Sequence, residues 1–216
     1  MRSIAFALLV LLFVGCGGDA PPPGFVSIEK SAEYQNPALL ARAWQLPVAA
    51  QYKPGFASQE NGSLCGMAST ANVLRSLGQP APAQKSLILG SVSPLLGVEL
   101  MGITLDELSG LVRAKLPKRQ VTVLRDLSLG QLRAEAAHFN DSGTRYIVNI
   151  TRKPLFGRGH GHFSPIGGYL ADADLVFVLD TNAEYKPFLV KTDRLFAAID
   201  TVDSSSDKKR GLLRIQ

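Results

Sequence analysis

Apolar residues between positions 64 and 77 recur at helical spacing, and this pattern predicts the first long helix of the chain. The apolar positions are Leu64, Met67, Ala68, Ala71, Leu74 and Leu77. Gly62-Ser63 precedes the run and Gly78 follows it, as expected for the two ends of a helix. Cys65 is therefore expected in the first turn of this helix.

The remaining elements follow the same kind of pattern. Two capping boxes, each a Ser or Thr with Glu or Gln three residues later, predict helices over residues 104–116 and 128–139, and a last helix is expected over residues 193–199. Runs of β-branched and aromatic residues predict strands over residues 120–124, 146–150, 162–170, 175–180 and 212–215, with loops at 79–83 and 154–161. Helices lead and strands follow, which favours an α+β fold: an N-terminal helical part packed on a mainly antiparallel sheet.

The N-terminus has the pattern of an export signal. Arg2 is followed by an apolar run over residues 4–14 that ends at Gly15-Cys16. The run is too short to span a membrane, and its end resembles the bacterial lipobox, in which the cysteine becomes lipidated. Ordinary secretion with a nearby cleavage site is the alternative.

This interpretation divides the chain into three parts. Residues 1–15 are predicted to be a lipoprotein signal peptide, residues 16–44 a lipidated cysteine and proline-containing tether, and residues 45–216 one domain. The protein is then expected in the bacterial cell envelope, lipid-anchored and facing the periplasm. Gly17 after Cys16 favours the outer membrane.

Composition and charge narrow the class of partner. Apolar residues make up 46% of the chain and charged residues 19%, enough for a sizeable core without a structural metal. The formal net charge is +5, which suits a small anionic partner. Basic residues are scattered and lack interleaved aromatics, so nucleic acid is not an expected partner.

The chain has two cysteines, Cys16 and Cys65. If Cys16 carries lipid, no internal disulfide can form. A lone thiol in an oxidising compartment is a liability unless it is buried and inert or is used in catalysis. Both interpretations of Cys65 stay open at this point.

Three other residues favour catalysis. Gln59, six residues before Cys65, could donate an amide hydrogen to an oxyanion together with the backbone N–H of Cys65. A helix start also lowers the pKa of a thiol. His162, which follows a glycine-rich loop, is the candidate general base. Asp180, at the end of an apolar strand, is the candidate to orient that histidine.

The contact between His162 and Asp180 is not obvious from the sequence. A tight hairpin turning at residues 172–174 would put the two several residues out of register. A bulge or shifted pairing is therefore required. The alternative for Asp180 is a turn cap.

A metal site is a rival interpretation of the histidines. His160 and His162 are two apart on a strand and could chelate zinc or copper, but no further ligand lies nearby in sequence. His138 is expected at the surface or at a helix end.

Several blocks of sequence together resemble the catalytic domain of phytochelatin synthases, over about residues 45–216. The string from Gly161 to Tyr169 is the most specific. The other blocks are Ser58-Gln59, Cys65-Gly66-Met67-Ala68-Ser69, Asn72-Val73-Leu74, Ser76-Leu77-Gly78, Gly102-Ile103-Thr104, Asp180, Pro187 and Arg210-Gly211.

The resemblance implies a papain-like fold and an acyl-enzyme on Cys65, with His162 and Asp180 completing the triad and Gln59 in the oxyanion hole. The implied substrates are glutathione and related γ-glutamyl thiol peptides. The Cys–Gly bond of glutathione is cleaved, and the γ-glutamylcysteinyl group passes to water or to a second glutathione. Arg152 and Arg210 match family arginines expected to hold the γ-glutamyl carboxylate, a task that suits guanidinium groups; solvated surface charge is the alternative for both.

Departures from the family pattern shift the expected reaction. The chain ends shortly after Arg210-Gly211, without the cysteine-rich region of the plant and fungal enzymes, so metal sensing is doubtful. Leu170 replaces a common histidine and Ala183 a common arginine, which favours hydrolysis over transfer. No cofactor is expected to be required, although heavy-metal thiolates are candidates for stimulation. A rival hypothesis is an envelope lipoprotein that binds thiol peptides or metal with weak or no turnover.

Overall fold

A computed structural model of the chain describes residues 23–88 and 102–216. The predicted signal peptide and Cys16, the predicted lipidation site, lie outside these described residues. Within them, no helix has the length and apolar character needed to cross a membrane.

A six-stranded antiparallel sheet forms the centre of the molecule. Its strands are β1 (Val121–Leu124), β2 (Arg145–Thr151), β3 (Gly161–Leu170), β4 (Leu175–Val178), β5 (Phe188–Lys191) and β8 (Gly211–Ile215), and a short hairpin of β6 (Val202–Asp203) and β7 (Lys208–Lys209) precedes β8. The order across the sheet is β1-β8-β2-β3-β4-β5. The five predicted strands are all present. The short strand β5 and the hairpin were not predicted, because each is too short to show an alternating pattern.

The helices in the described part of the chain are α1 (Pro37–Ala43), α2 (Pro47–Tyr52), α3 (Cys65–Ser76), α4 (Gln84–Ile88), α5 (Leu105–Lys115), α6 (Leu129–Ala136), α7 (Lys153–Phe156) and α8 (Thr192–Ile199). Both predicted capping boxes are present, at Thr104 and at Ser128. The predicted α+β class is confirmed. Helix α7 corrects the loop predicted over residues 154–161: its four residues are too few for a periodic signal.

Apolar side chains on the two faces of the sheet build two separate cores. One core packs α3 against one face through residues such as Met67, Ile147 and Phe163. The other packs α6 and α8 against the opposite face through residues such as Val148 and Leu195. Neighbouring strand residues supply opposite cores because side chains alternate along a strand. The helix that begins at Cys65 is thus fixed against the middle of the sheet.

The N-terminal part of the domain begins earlier than the sequence predicted. Residues 28–44 were assigned to the tether, but Ile28 and Tyr34 are buried and α1 ends in buried Ala43. The Tyr34 ring packs against Phe188, and its hydroxyl donates a hydrogen bond to a backbone carbonyl of the loop before β5. The few buried apolar residues of this segment are separated by polar ones, so the hydrophobic pattern did not show that the segment belongs to the domain.

A β-bulge in β3 determines which residues of β3 and β4 lie opposite each other at the end of the hairpin near His162. The pairing that starts with Leu170 opposite Leu175 shifts by one residue at Gly167. The pairing then continues as the backbone N–H of Leu179 donates to the carbonyl of Pro165 at 2.9 Å. In the shifted register Asp180 lies opposite Ser164, which is two residues after His162. Residues two apart on a strand share a face, so Asp180 and His162 lie on the same face of the sheet. Without the bulge, Asp180 would face the opposite side.

Gly167 makes this bulge fit, because a Cβ at this position would lie 2.8 Å from Cδ1 of buried Phe177. We expect Gly167→Ala to lower the free energy of unfolding by about 1–3 kcal/mol through overpacking. Urea denaturation followed by the fluorescence of Trp44, whose ring contacts that of Phe177, measures the change.

Gly110→Ala is the matched control. Gly110 is exposed on α5, and a methyl group added there would meet open space, so alanine should raise stability by about 0.5–1 kcal/mol. Equal effects of the two substitutions would contradict the role assigned to Gly167.

Candidate active site

Cys65 is the first residue of α3 and lies against a cavity of about 510 Å³. The helix has no side-chain cap at its N-terminus, so its first backbone N–H groups are free to act on a charge near Cys65. The residue is only 8% exposed and forms part of the cavity wall. The predicted position of Cys65 in the first turn is confirmed.

His162 lies at the start of β3 and lines the same cavity. Its ring shares a hydrogen bond with the Cys65 side chain. Nε2 lies 2.9 Å from Oδ1 of Asp180, but the oxygen is off the N–H direction, so the contact is an ion pair rather than an aligned hydrogen bond. Nδ1 is therefore the nitrogen that faces the sulfur.

Asp180 is fully buried and has three partners. Nη2 of Arg152 donates to both carboxylate oxygens, each at 2.7 Å. The backbone N–H of Asn182 donates to Oδ1 at 2.8 Å, and His162 completes the set. The structure thus brings Cys65, His162 and Asp180 into one chain of contacts, with the bulge in β3 supplying the register that the sequence required.

The charges of these groups depend on one another. Burial raises the pKa of the Cys65 thiol, but the positive His162, its hydrogen bond, the backbone N–H of Phe163 and the charge of Arg152 lower it, and the net pKa is below the ordinary value. Burial lowers the pKa of His162, whereas Asp180 and Cys65 raise it above the ordinary value. Burial likewise raises the pKa of Asp180, but His162 and Arg152 bring it below the ordinary value. These shifts favour a thiolate–imidazolium pair.

Gln59 is held by the segment that follows Asp180 and is not among the residues that line the cavity. Its backbone N–H donates to the carbonyl of Thr181 at 2.7 Å, and its Oε1 accepts from the Thr181 hydroxyl at 3.1 Å. Its Nε2 donates to the carbonyl of Asn61 at 2.7 Å. The second N–H of the amide has no partner among the described residues, so Gln59 keeps one donor for a ligand.

The two predicted substrate arginines occupy different environments. Arg210 lines the cavity, packs its guanidinium over Gly161 and places Nη1 3.0 Å from Oδ2 of Asp203. Arg152 is absent from the cavity wall and is engaged by Asp180. The position of Arg210 is therefore compatible with the predicted substrate contact. That of Arg152 is not, because its guanidinium is occupied by the buried carboxylate of Asp180.

Several polar residues on the cavity wall were missed by the sequence reasoning, among them Asp203 and Asn149. Asp203, on β6, faces Arg210 across the hairpin. Asn149, on β2, is buried, and its Nδ2 has no partner in the described part of the chain. Neither residue belongs to a motif; only the sheet topology brings β2 and the hairpin beside the start of β3.

The metal hypothesis finds no support in the described residues, which contain no group of three or more His, Cys, Asp or Glu side chains placed to hold an ion. His162 uses Nε2 for Asp180, while His160 is exposed at the cavity edge. His138 is exposed as predicted and lies 2.9 Å from Asp141.

Comparisons with known proteins find a matching family model and several relatives. The family model described as phytochelatin synthase matches residues 30–212, which is more than half of the chain. Glutathione gamma-glutamylcysteinyltransferase 3 of Lotus japonicus is 29% identical over 170 residues, covering 74% of this chain and 36% of the relative. Glutathione gamma-glutamylcysteinyltransferase 1 of Arabidopsis thaliana is 28% identical over 170 residues, covering 74% and 35%. The chain spans about a third of the length of these curated relatives.

Among solved structures, the peptidase domain of Streptococcus ComA, a bi-functional ABC transporter, aligns with a TM-score of 0.49 and 16% identity. The alignment covers 73% of this chain and 93% of that domain.

The lowered pKa of the Cys65 thiol predicts alkylation at low pH. The rate of iodoacetamide addition to the Cys65 peptide, quantified by mass spectrometry, should reach half its maximum below about pH 8.5, the ordinary thiol value. His162→Gln removes the positive charge and the hydrogen bond but leaves the burial. The midpoint should then rise above the ordinary value; a midpoint that does not move would contradict the pairing of Cys65 with His162.

Proposed function

The chain belongs to the phytochelatin synthase family, and from this premise we propose that it cleaves the Cys–Gly bond of glutathione through an acyl-enzyme on Cys65. The observation that carries the proposal is the chain of contacts from Cys65 through His162 to Asp180 at the wall of the cavity. The thiol is the nucleophile, the imidazole moves the proton, and the carboxylate holds the imidazole.

The reaction begins with attack of the Cys65 thiolate on the carbonyl carbon of the cysteine residue in glutathione. The oxygen becomes negative and can accept hydrogen bonds from the backbone N–H of Cys65 and from the free amide N–H of Gln59. Collapse of this intermediate breaks the C–N bond, and His162 gives its proton to the departing amine of glycine. A γ-glutamylcysteinyl thioester remains on Cys65.

Water or a second glutathione then resolves the thioester. Neutral His162 takes a proton from the attacking water, and the products are γ-glutamylcysteine and free Cys65. If the amino group of a second glutathione attacks instead, the product is a phytochelatin with one additional γ-glutamylcysteine unit. Both routes use the same acyl-enzyme.

The cavity offers charges that match the γ-glutamyl end of the substrate. This end carries an α-ammonium and an α-carboxylate, and Asp203 and Arg210 present the opposite charges side by side on the wall. The guanidinium of Arg210 is fixed over Gly161, and its planar pair of N–H donors suits recognition of a carboxylate. A cavity of about 510 Å³ is also in the size range of sites for small molecules.

We favour hydrolysis as the main outcome. Ala183, exposed on the loop after Asp180, provides no cation that could hold the carboxylate of a second glutathione. Leu170 carries no weight in this choice, since it is buried in the core at the far end of β3, about 26 Å along the strand from His162. No cofactor takes part in the proposed steps, and heavy-metal thiolates remain candidates for stimulation.

The cellular setting is a separate proposal that rests on the N-terminal sequence. Lipidation of Cys16 would anchor the protein in the bacterial envelope facing the periplasm, most simply at the outer membrane, with glutathione supplied to that compartment.

Glutathione turnover tests the proposed reaction directly. The protein incubated with glutathione should release glycine and γ-glutamylcysteine, and Cys65→Ala should abolish release because the nucleophile is lost. Chromatography with and without cadmium distinguishes cleavage from formation of longer oligomers. Cys16→Ser is the matched cysteine control and should retain turnover. Glycine release that survives in Cys65→Ala would overturn the mechanism.

Charge removal at Arg210 tests substrate recognition. Arg210→Gln should lower kcat/KM for glutathione by about 10- to 100-fold, mainly through KM, because a charge-assisted contact of about 1.5–3 kcal/mol is lost. Arg42→Gln removes the same charge from an exposed ion pair with Asp172 and should leave kinetics unchanged. A KM unaffected by Arg210→Gln would refute the assignment.

A further inference from the structure

Arg152 is a buried cation next to the catalytic residues that does not reach the cavity. Its side chain is 8% exposed, and that of its partner Asp180 is completely buried. One guanidinium nitrogen, Nη2, lies 2.7 Å from each carboxylate oxygen. The carboxylate is therefore held entirely by protein groups, with His162 and the Asn182 N–H as its other partners.

The surroundings of Arg152 hold its side chain in one position. The guanidinium carbon lies 4.1 Å from the centre of the Tyr185 ring, in a cation–π contact. The backbone N–H of Arg152 donates to the carbonyl of His160 at 3.1 Å. Gly159 has φ +90°, and a Cβ there would lie 2.9 Å from Cβ of Arg152. The absence of a side chain at Gly159 thus makes room for Arg152, while Gly159 and Gly161 also line the cavity.

We propose that Arg152 is a positioning residue, whose guanidinium fixes the Asp180 carboxylate so that Oδ1 stays against Nε2 of His162 and Nδ1 stays against Cys65. The inference rests on the proposed roles of Cys65 and His162. In this role Arg152 does not contact the substrate; it acts on Cys65 through Asp180 and His162.

The charges that face this cluster decide the sign of the effect. Asp180 faces His162 and Arg152 as charged groups, with Cys65 beyond the imidazole. The phenols of Tyr34 and Tyr185 border it from the other side, and the exposed pair of Arg158 and Glu29 lies beyond the Tyr185 ring.

Loss of the Arg152 charge removes one of the groups that stabilise the Cys65 thiolate. If Asp180 stays ionised, its uncompensated negative charge also opposes the thiolate. If Asp180 takes up a proton instead, His162 loses the counter-charge that keeps it protonated. Each route makes the thiolate harder to form. The pH at which the reactivity of Cys65 reaches half its maximum must therefore rise.

Arg152→Gln is the primary test, read by alkylation of Cys65 with iodoacetamide as a function of pH. We expect the midpoint to rise by about one pH unit and kcat/KM for glutathione to fall on the order of tenfold. Iodoacetamide is small and neutral and needs no carboxylate site. The alkylation result therefore stands even if glutathione is not the substrate, which separates failure of this inference from failure of the proposed function.

Arg158→Gln is the matched control. Arg158 faces the same Tyr185 ring with its guanidinium 5.9 Å away, but it is 54% exposed and pairs with Glu29 instead of Asp180. Its loss should leave both the midpoint and the kinetics unchanged. An equal shift in the two variants would overturn the inference, because any nearby charge would then suffice.

Arg152→Lys provides a conservative variant in which a buried cation is retained but the planar group is lost. Its midpoint should lie between those of the wild type and Arg152→Gln, and thermal melts establish that each variant is folded. If Arg152→Gln fails to fold, a raised midpoint in Arg152→Lys still supports the inference. A wild-type midpoint in Arg152→Lys, or an unmoved midpoint with a raised KM in folded Arg152→Gln, would overturn it.

Discussion

The site depends on the burial of ionised groups in a row, from the Cys65 thiol through His162 to Asp180 and Arg152. Each of these groups alone would be costly inside a protein, because burial disfavours charge. Together they alternate in sign, so each charge lies next to an opposite one. The row is stable only while every member is in place, and the fold must therefore fix four side chains from different elements at once.

Helix α3 and strand β3 supply the two ends of the catalytic pair, and their packing controls its geometry. The helix lies against the sheet through Met67 and Phe163, which closely follow Cys65 and His162 in the chain. A displacement of the helix along the sheet would therefore move the sulfur relative to the imidazole. The apolar core and the reactive pair are in this sense one arrangement, because the same two elements carry both.

Glycines give the backbone the room that this arrangement needs. Gly167 admits the ring of Phe177 at the bulge, and Gly168, with φ +150°, passes close to Asn140 and Leu46. At the start of the same strand, Gly161 lies under the Arg210 guanidinium. The string from Gly161 to Tyr169 that carried the family resemblance is thus specific for a physical reason: larger residues would collide with Arg210 at Gly161 and with packed side chains away from the site at Gly167 and Gly168.

The sequence predicted those features that depend on neighbours in the chain. The helix start at Cys65 and the capping boxes at Thr104 and Ser128 are local patterns, and they were found in place. The roles of Arg152 and Asp203 depend on which strands lie side by side, and no local pattern reports that. As sequence positions Arg152 and Arg210 looked equivalent. Both are buried beside a carboxylate, Arg152 beside Asp180 and Arg210 beside Asp203, but only Arg210 lies on the cavity wall, where it is available to a ligand.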